Sequence, residues 1–257
     1  MFLFFLQTRR YEKAVFTHRD GENNFDDETY TEELFMDNRS LKEFRMRQFF
    51  INATRQIMDD EGVHAVTIRK IADTAGFNSA TIYNYFDDIS HLIFCAAMKY
   101  LRDYTCDIPR YVTHAINPVE EYLQVWSCFC HHSFHNPQIY HVLFISDLGH
   151  VPDDVVKDYY QFFPEELNDL PSELVPMLLE SDLTKRTTLS MKKCLDEGWI
   201  SPHDAEAITD RIVAIYVGML TAFMNHRVRY TAEDAAHKTM DHIREILLAA
   251  VTPPSKK

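Results

Sequence analysis

No stretch of this chain alternates apolar and polar residues in the way a half-buried strand requires. Only six of its 257 residues are glycine. Apolar residues recur instead at helical spacing. Phe50, Ala53, Thr54, Ile57 and Met58 form one such series, and Gly62 stops it as a left-handed cap. The chain is therefore read as all-α. At 46% apolar it can bury a real core, and its length fits one large domain or a small domain joined to a larger one.

The helical text continues in short phrases. Thr67 is a good N-cap for a second helix with Ile68, Ile71, Ala72 and Ala75 on its inner side, Gly76 ends it, and Asn78 caps a third. Three helices in about fifty residues make too small a core to stand alone, so a larger body must support them. That body follows. Ser90 to Tyr104 reads as one long helix, and after Pro109 helical segments are separated by prolines. The clearest cover about 119–135, 183–198, 203–227 and 232–250, the last capped by Thr231 with Glu233 and Asp234 suiting the helix dipole. The expected organisation is a helix-turn-helix head over 39–90, a helical body over 91–252, and a tail over 253–257.

Residues 1–38 mix a greasy start, a basic patch and an acidic stretch with no sustained helical period. They are read as a disordered extension or an over-extended reading of the gene, with Met36 and Met46 available as internal starts. MFLFFL is far below the ~18 residues needed to span a bilayer, and its basic residues follow the apolar run, unlike a signal peptide. The run from Ile212 to Met224 is also short and is interrupted by Gly218 and Thr221. No membrane partner is expected. Five cysteines without framework spacing suit a reducing cytoplasm.

The formal charge of −13 argues against a nucleic-acid binder, yet binding needs only one local face. Asn78–Phe86 supplies a candidate. At about 100° per residue, Ile82, Tyr85 and Phe86 share an inner arc, while Ser79, Ala80, Tyr83 and Asn84 take the opposite one with Thr81 at its edge. Small residues let a helix backbone approach another surface, and a tyrosine and an amide one turn on can bond phosphates and base edges. That is the design of a recognition helix entering a major groove.

Thr67, Ile71-Ala72, Ala75-Gly76, Asn78, Thr81-Ile82-Tyr83, Tyr85-Phe86 and Leu92 resemble the DNA-binding domain of the TetR family of transcriptional regulators, across about residues 46–95. The resemblance implies an all-helical homodimer whose C-terminal domain binds a small ligand and thereby releases a pseudo-palindromic DNA operator. It also implies phosphate binding by Thr67, a backbone grip by Tyr83 and Tyr85, and base contacts from Ser79, Ala80 and Asn84. Arg47, Arg69 and Thr81 complete the expected DNA-binding set. The chain departs from the family at Phe77, Asn78 and Ala80, and most seriously at Ile89, where a lysine usually contacts phosphate. Losing one such contact lowers the salt slope by roughly one unit. Asp87 and Asp88 add repulsion, with Arg45, Arg47, Arg55, Arg69 and Lys70 as compensation.

In the body, Cys128, His131 and His135 share a helical face and offer soft metal ligands. The plainer reading is a packed cysteine beside half-exposed histidines, and no metal or other cofactor is assigned. Aromatic residues crowd the same region. Trp126, Phe129, Phe134, Tyr140, Phe144, Tyr159, Phe163, Tyr216, Met219 and Phe223 are the candidate ligand-binding set, for a flat hydrophobic or aromatic molecule between helices. Leu183, Leu189, Ile212, Ile215, Met219 and Phe223 supply apolar surface for a four-helix dimer interface around 183–198 and 203–227.

The expected function is a cytoplasmic DNA-binding regulator, most simply a repressor released by its effector. The alternatives are a nucleoid-architecture or interaction protein on the same fold, and a metal-responsive regulator using the Cys128–His135 cluster. An enzyme is not expected, since no nucleophile elbow, phosphate loop or HExxH spacing occurs.

Overall fold

The computed structural model describes residues 38–147, 155–167 and 170–253. The extension expected over 1–38 therefore lies, but for Asn38, outside the described residues. The chain divides into two compact units, Met1–Glu43 and Phe44–Lys257. Of the first, only the opening of one helix is described. The second holds the short N-terminal helices and the larger bundle.

No strand occurs among the described residues. Helix α1 runs Asn38–Glu61, and after a 3-10 turn at Val63–Ala65 come α2 (Ile68–Ala75) and α3 (Ser79–Ile82). Thr67 caps α2 by accepting from the Lys70 amide at 3.3 Å, and Asn78 caps α3 by accepting from the Thr81 amide at 3.0 Å. Gly76 ends α2 in the left-handed region at φ 76° and ψ 28°. Gly62 also has positive φ, 86°, but its ψ of 164° is extended. It is a glycine-only bend rather than the left-handed cap its position suggests.

Two expected helices break. The single helix over 90–104 is instead α4 (Ile89–Met98) and α5 (Leu101–Val112), separated at Lys99–Tyr100. Lys99 leaves the α4 axis to reach Glu166, a partner that no local pattern announces. Pro109 lies inside the last turn and a half of α5 and withholds its own amide from the ladder. The expected helix over 183–198 divides at Met191 into α10 (Leu183–Ser190) and α11 (Lys192–Asp196), and Gly198 follows with φ 74°.

The remaining elements are α6 (Pro118–His135), α7 (Pro137–Phe144), α8 (Val155–Phe162), a 3-10 turn at Pro164–Leu167, α9 (Val175–Leu178), α12 (Pro202–Met224) and α13 (Ala232–Leu248). Thr231 opens α13 with a full capping box. Helix α6 is central, packing against α5 on one side and α13 on another, while α12 packs on α13, α10 and α7. Helix α4 joins the short N-terminal helices to this bundle through α7 and α8.

Helix α12 is long and apolar enough to cross a membrane by length and composition, with 28% of its apolar window buried. Ile208, Ile212, Tyr216 and Leu220 line its inner side, as in a bundle helix, while Val213, Ile215, Val217 and Met219 remain half-exposed. Leu183 and Ile212, expected at a dimer interface, are buried inside the chain instead. They fill the body's own core because α10 and α12 pack on each other.

Candidate nucleic-acid interface and ligand cavity

The surface around α3 follows from what anchors it. Ile82 and Phe86 are fully buried, with Phe86 edge-on to Phe50 at 6.4 Å, and Tyr85 leans on Phe50 at 5.9 Å. That fixes the rotation of the segment and turns Ala80, Tyr83 and Asn84 outward, Tyr83 at 57% exposure. Ser79 and Thr81 are half-exposed, and the Thr81 hydroxyl donates to Asn78 Oδ1 at 3.0 Å. Regular α-helix spans only four residues, after which tight bonds from the Asn84 and Tyr85 amides to the Thr81 and Ile82 carbonyls carry the turn onward. Thr67 is exposed, and because its oxygen accepts from Lys70, its proton remains available to a phosphate.

The cations differ in availability. Arg69 reaches Asp73 at 3.9 Å, but that pair is 90% and 74% exposed and holds it weakly. Lys70 is bound to Glu61 at 2.7 Å, and Arg55 lies over the Tyr100 ring near Asp59. Arg47 turns inward. Its guanidinium lies 5.4 Å from the Phe86 centroid and 4.8 Å from that of Phe162, so it joins α1 to α8 rather than standing beside α3. Asp88 caps α4 by accepting from the His91 amide at 2.9 Å, whereas the Asp87 backbone amide donates to His91 Nδ1 at 3.4 Å and its carboxylate stays exposed beside the ring. Ile89 opens α4 half-buried.

In the body the ten expected ligand residues do not form one site. Trp126, Tyr140, Phe144 and Tyr216 surround Phe129 at centroid distances of 5.5, 5.4, 5.3 and 5.1 Å. Phe134 and Phe223 pair separately at 5.5 Å, and Met219 is half-exposed on α12. Tyr159 and Phe163 belong to a third place, beside Lys99 and Glu166. Helical phase groups residues on one helix, whereas these three clusters are decided by which helix packs opposite.

A cavity of about 20 Å³ opens beside Trp126 and Phe129, lined also by Tyr104, Val125, Met177, Leu183, Arg186, Thr187 and Ser190. Arg186 escaped the sequence reading because TKRTTLS looks like a solvated helix face. One signal was available: Arg186, Thr187 and Ser190 stand three, four and seven residues after the apolar Leu183, so they share its inward phase.

The expected Cys128, His131 and His135 ligand set does not form. Cys128 faces α5, donating to the Tyr104 carbonyl at 3.8 Å, and burial pushes its thiol well above the ordinary range. His131 and His135 instead meet Glu233 from the first turn of α13, with their ligand atoms all within 4.8 Å. His135 Nδ1 is 2.7 Å from the His131 carbonyl, which leaves Nε2 for a metal. His132 pairs with Asp107 at 3.0 Å, and burial holds it below the usual imidazole value against the pull of that acid.

The model of bacterial regulatory proteins of the tetR family matches residues 50–94, the stretch from Phe50 through α2, α3 and α4. Over that stretch this chain is similar to the tetR family. A relative is the HTH-type transcriptional regulator HbdR of Aromatoleum sp. (strain CIB), 29% identical over 84 residues. That match covers 33% of this chain and 37% of HbdR, about a third of the relative's length. The tetR-type fold extends further than the sequence match. The structure of FadR from Thermus thermophilus, a tetR family transcriptional repressor in complex with lauroyl-CoA, superposes with a TM-score of 0.53 at 14% identity. It covers 82% of this chain and 98% of that one. A candidate tetR family transcription regulator of Shewanella sp. PV-4 gives 0.50 at 14% identity, covering 80% and 98%.

Proposed function

We propose that the protein is a cytoplasmic, homodimeric repressor that binds a pseudo-palindromic DNA operator and is released by a small ligand in its C-terminal domain. The observation that carries the DNA reading is the outward face of Ala80, Tyr83 and Asn84, held in place by the buried Ile82 and Phe86. Ser79 and Thr81 at its edge, Tyr85 behind it, and Thr67 and Arg69 on α2 complete the surface we assign to the duplex. A small outward residue near the helix start lets the backbone approach the groove, and the tyrosine and amide that follow can bond base edges or phosphates.

The dimer is supported by α12. A mostly apolar helix of 23 residues whose outer side keeps Val213, Ile215, Val217 and Met219 half-exposed is suited to a second copy of itself. Two heads then meet two half-sites. A ligand that fits one spacing of the heads better than the other shifts the population away from the form that spans both. Tyr83→Phe and Asn84→Ala should each weaken binding in gel shifts on the DNA upstream of the gene, while sedimentation still reports a dimer. Equal binding by both variants would remove α3 as the reader.

One observation favours a second reading, a metal-responsive regulator. His131, His135 and Glu233 join α6 to the start of α13, and two imidazoles with a carboxylate are a set that zinc accepts. Zinc should then change operator affinity in the wild type and leave His131→Ala with Glu233→Ala unaffected. An unchanged wild-type affinity on adding zinc removes this version.

A further inference from the structure

We infer that the cavity beside Phe129 takes a small organic acid, a flat apolar or aromatic body bearing one carboxylate, with that carboxylate set against Arg186. The inference rests on reading the C-terminal domain as the effector domain, and it names the chemistry of the effector.

Arg186 is 4% exposed, and its Nη2 has no hydrogen-bond partner. A guanidinium does not give up its proton in a protein, so the charge persists wherever the fold puts it. Nη1 reaches the carbonyls of Met177 and Leu178 at 3.3 and 3.4 Å, the closing turn of α9. The rings of Phe144 and Tyr104 lie 5.3 and 5.8 Å from the guanidinium carbon. All of these offer partial negative charge. Among the described residues no carboxylate stands within ion-pair distance of Arg186. Burying a cation without its counter-charge is expensive, and the fold has supplied only half of what would relieve it.

The remaining polar groups point to the same missing partner. Thr187 and Ser190 already donate their hydroxyl protons to the Leu183 and Thr187 carbonyls, at 2.7 and 2.8 Å. Burial pushes the Tyr104 hydroxyl up to about 12 against the pull of Arg186, so it stays protonated. The hydroxyls of Tyr140 and Tyr216, packed on Phe129, have no partner, and both lie near enough to Arg186 to feel its charge. What the cavity lacks is a negative charge.

The walls decide the rest of the ligand. Val125, Trp126, Phe129 and Leu183 are apolar, and among the described lining residues Arg186 is the one cation. That suits a single negative charge on an apolar frame better than a phosphate dianion. The space of about 20 Å³ holds about one water, so an organic acid enters by displacing side chains between α6 and α10. Helix α10 packs on α12, and its displacement would reach the face we assign to the second copy.

The test uses the full-length protein without DNA. Benzoate, phenylacetate and 2-naphthoate are each compared with the matching neutral carboxamide by thermal unfolding and calorimetry. At least one acid should raise the melting temperature where its amide does not, and bind about tenfold tighter or more. Arg186→Met should retain helical circular dichroism and lose the preference. Should that variant not fold, Arg186→Gln, which keeps donors for the two carbonyls without the charge, gives the same readout. Acids and amides indistinguishable across the series, or a preference surviving in the variants, overturns the inference. Failure here with operator binding intact sinks only the effector chemistry, while failure of the gel shifts leaves this result standing.

Discussion

Lys99 and Arg186 are both cations drawn into the body of the protein, and only Lys99 meets a carboxylate there. Lys99 Nζ lies 2.8 Å from Glu166 Oε1, Tyr159 donates to the other carboxylate oxygen at 2.9 Å, and the ammonium rests 3.4 Å from the Phe163 centroid. Arg186 has the rings and the carbonyls but, among the described residues, no acid. The first arrangement closes on itself and ties the end of α4 to the 3-10 turn at Pro164–Leu167. The second keeps one donor without a partner inside a cavity. Burial of a charge alone therefore says little about function; the counter-charge that the fold omits is the informative part.

The largest expected effect is at the closed site. Glu166→Ala strands Lys99 and should cost about 3 kcal/mol in urea unfolding, whereas Lys99→Met together with Glu166→Gln should come within about 1 kcal/mol of wild type. A small loss in the single variant would erase the distinction between the two regions. Arg186→Met comes next. It removes a charge instead of stranding one and forfeits two long hydrogen bonds, so it should change stability by about 1 kcal/mol or less without ligand. A loss as large as that of Glu166→Ala would mean that Arg186 is already paired.

The smallest effect comes from acidification. Burial holds His91 below its ordinary value, opposed by Asp87, Asp88 and Asp158 and aided by Arg47. Burial does the same to His132, opposed by Asp107 and Asp103 and aided by His131. In both, the folded state takes up a proton less readily than the unfolded chain. Their contribution is complete above about pH 6.5 and is lost as the pH falls below it. Melting temperatures of wild type and Arg186→Met should therefore fall in parallel from about pH 7.5 to about pH 5.5. Curves that diverge would place a titrating partner against Arg186 and sharpen the comparison in the other direction.

Much of the head was legible because its signals are local. Thr67 bonds an amide three residues on, Asn78 does the same, and Gly76 supplies a conformation that other residues avoid. The outward arc of Ala80, Tyr83 and Asn84 needed only the helical period and two large apolar residues to anchor it. The packing of Arg47 was not legible, for the opposite reason. Its partners, Phe86 and Phe162, are about forty and more than a hundred residues away, and no spacing within α1 reports them.

The aromatic crowd of the body was legible as composition and illegible as a site. Phe129 gathers Trp126, Tyr140, Phe144 and Tyr216, but Tyr159 and Phe163 join Lys99, and Phe223 goes to Phe134. The same applies to the His131 and His135 cluster, where Glu233 stands in place of Cys128 because α13 packs on α6.

By itself the sequence determined the helical class, the caps at Thr67, Gly76, Asn78 and Thr231, and which arc of the third helix faces away from its neighbours. Each of these is settled by bonds and periodicities spanning a few residues. Only the tertiary structure decided that Lys99 finds Glu166, that Arg186 turns inward beside Phe129, and that Arg47 lies against Phe86 and Phe162. Those outcomes depend on which distant helix arrives opposite, and a buried charge keeps or lacks its partner according to that packing alone.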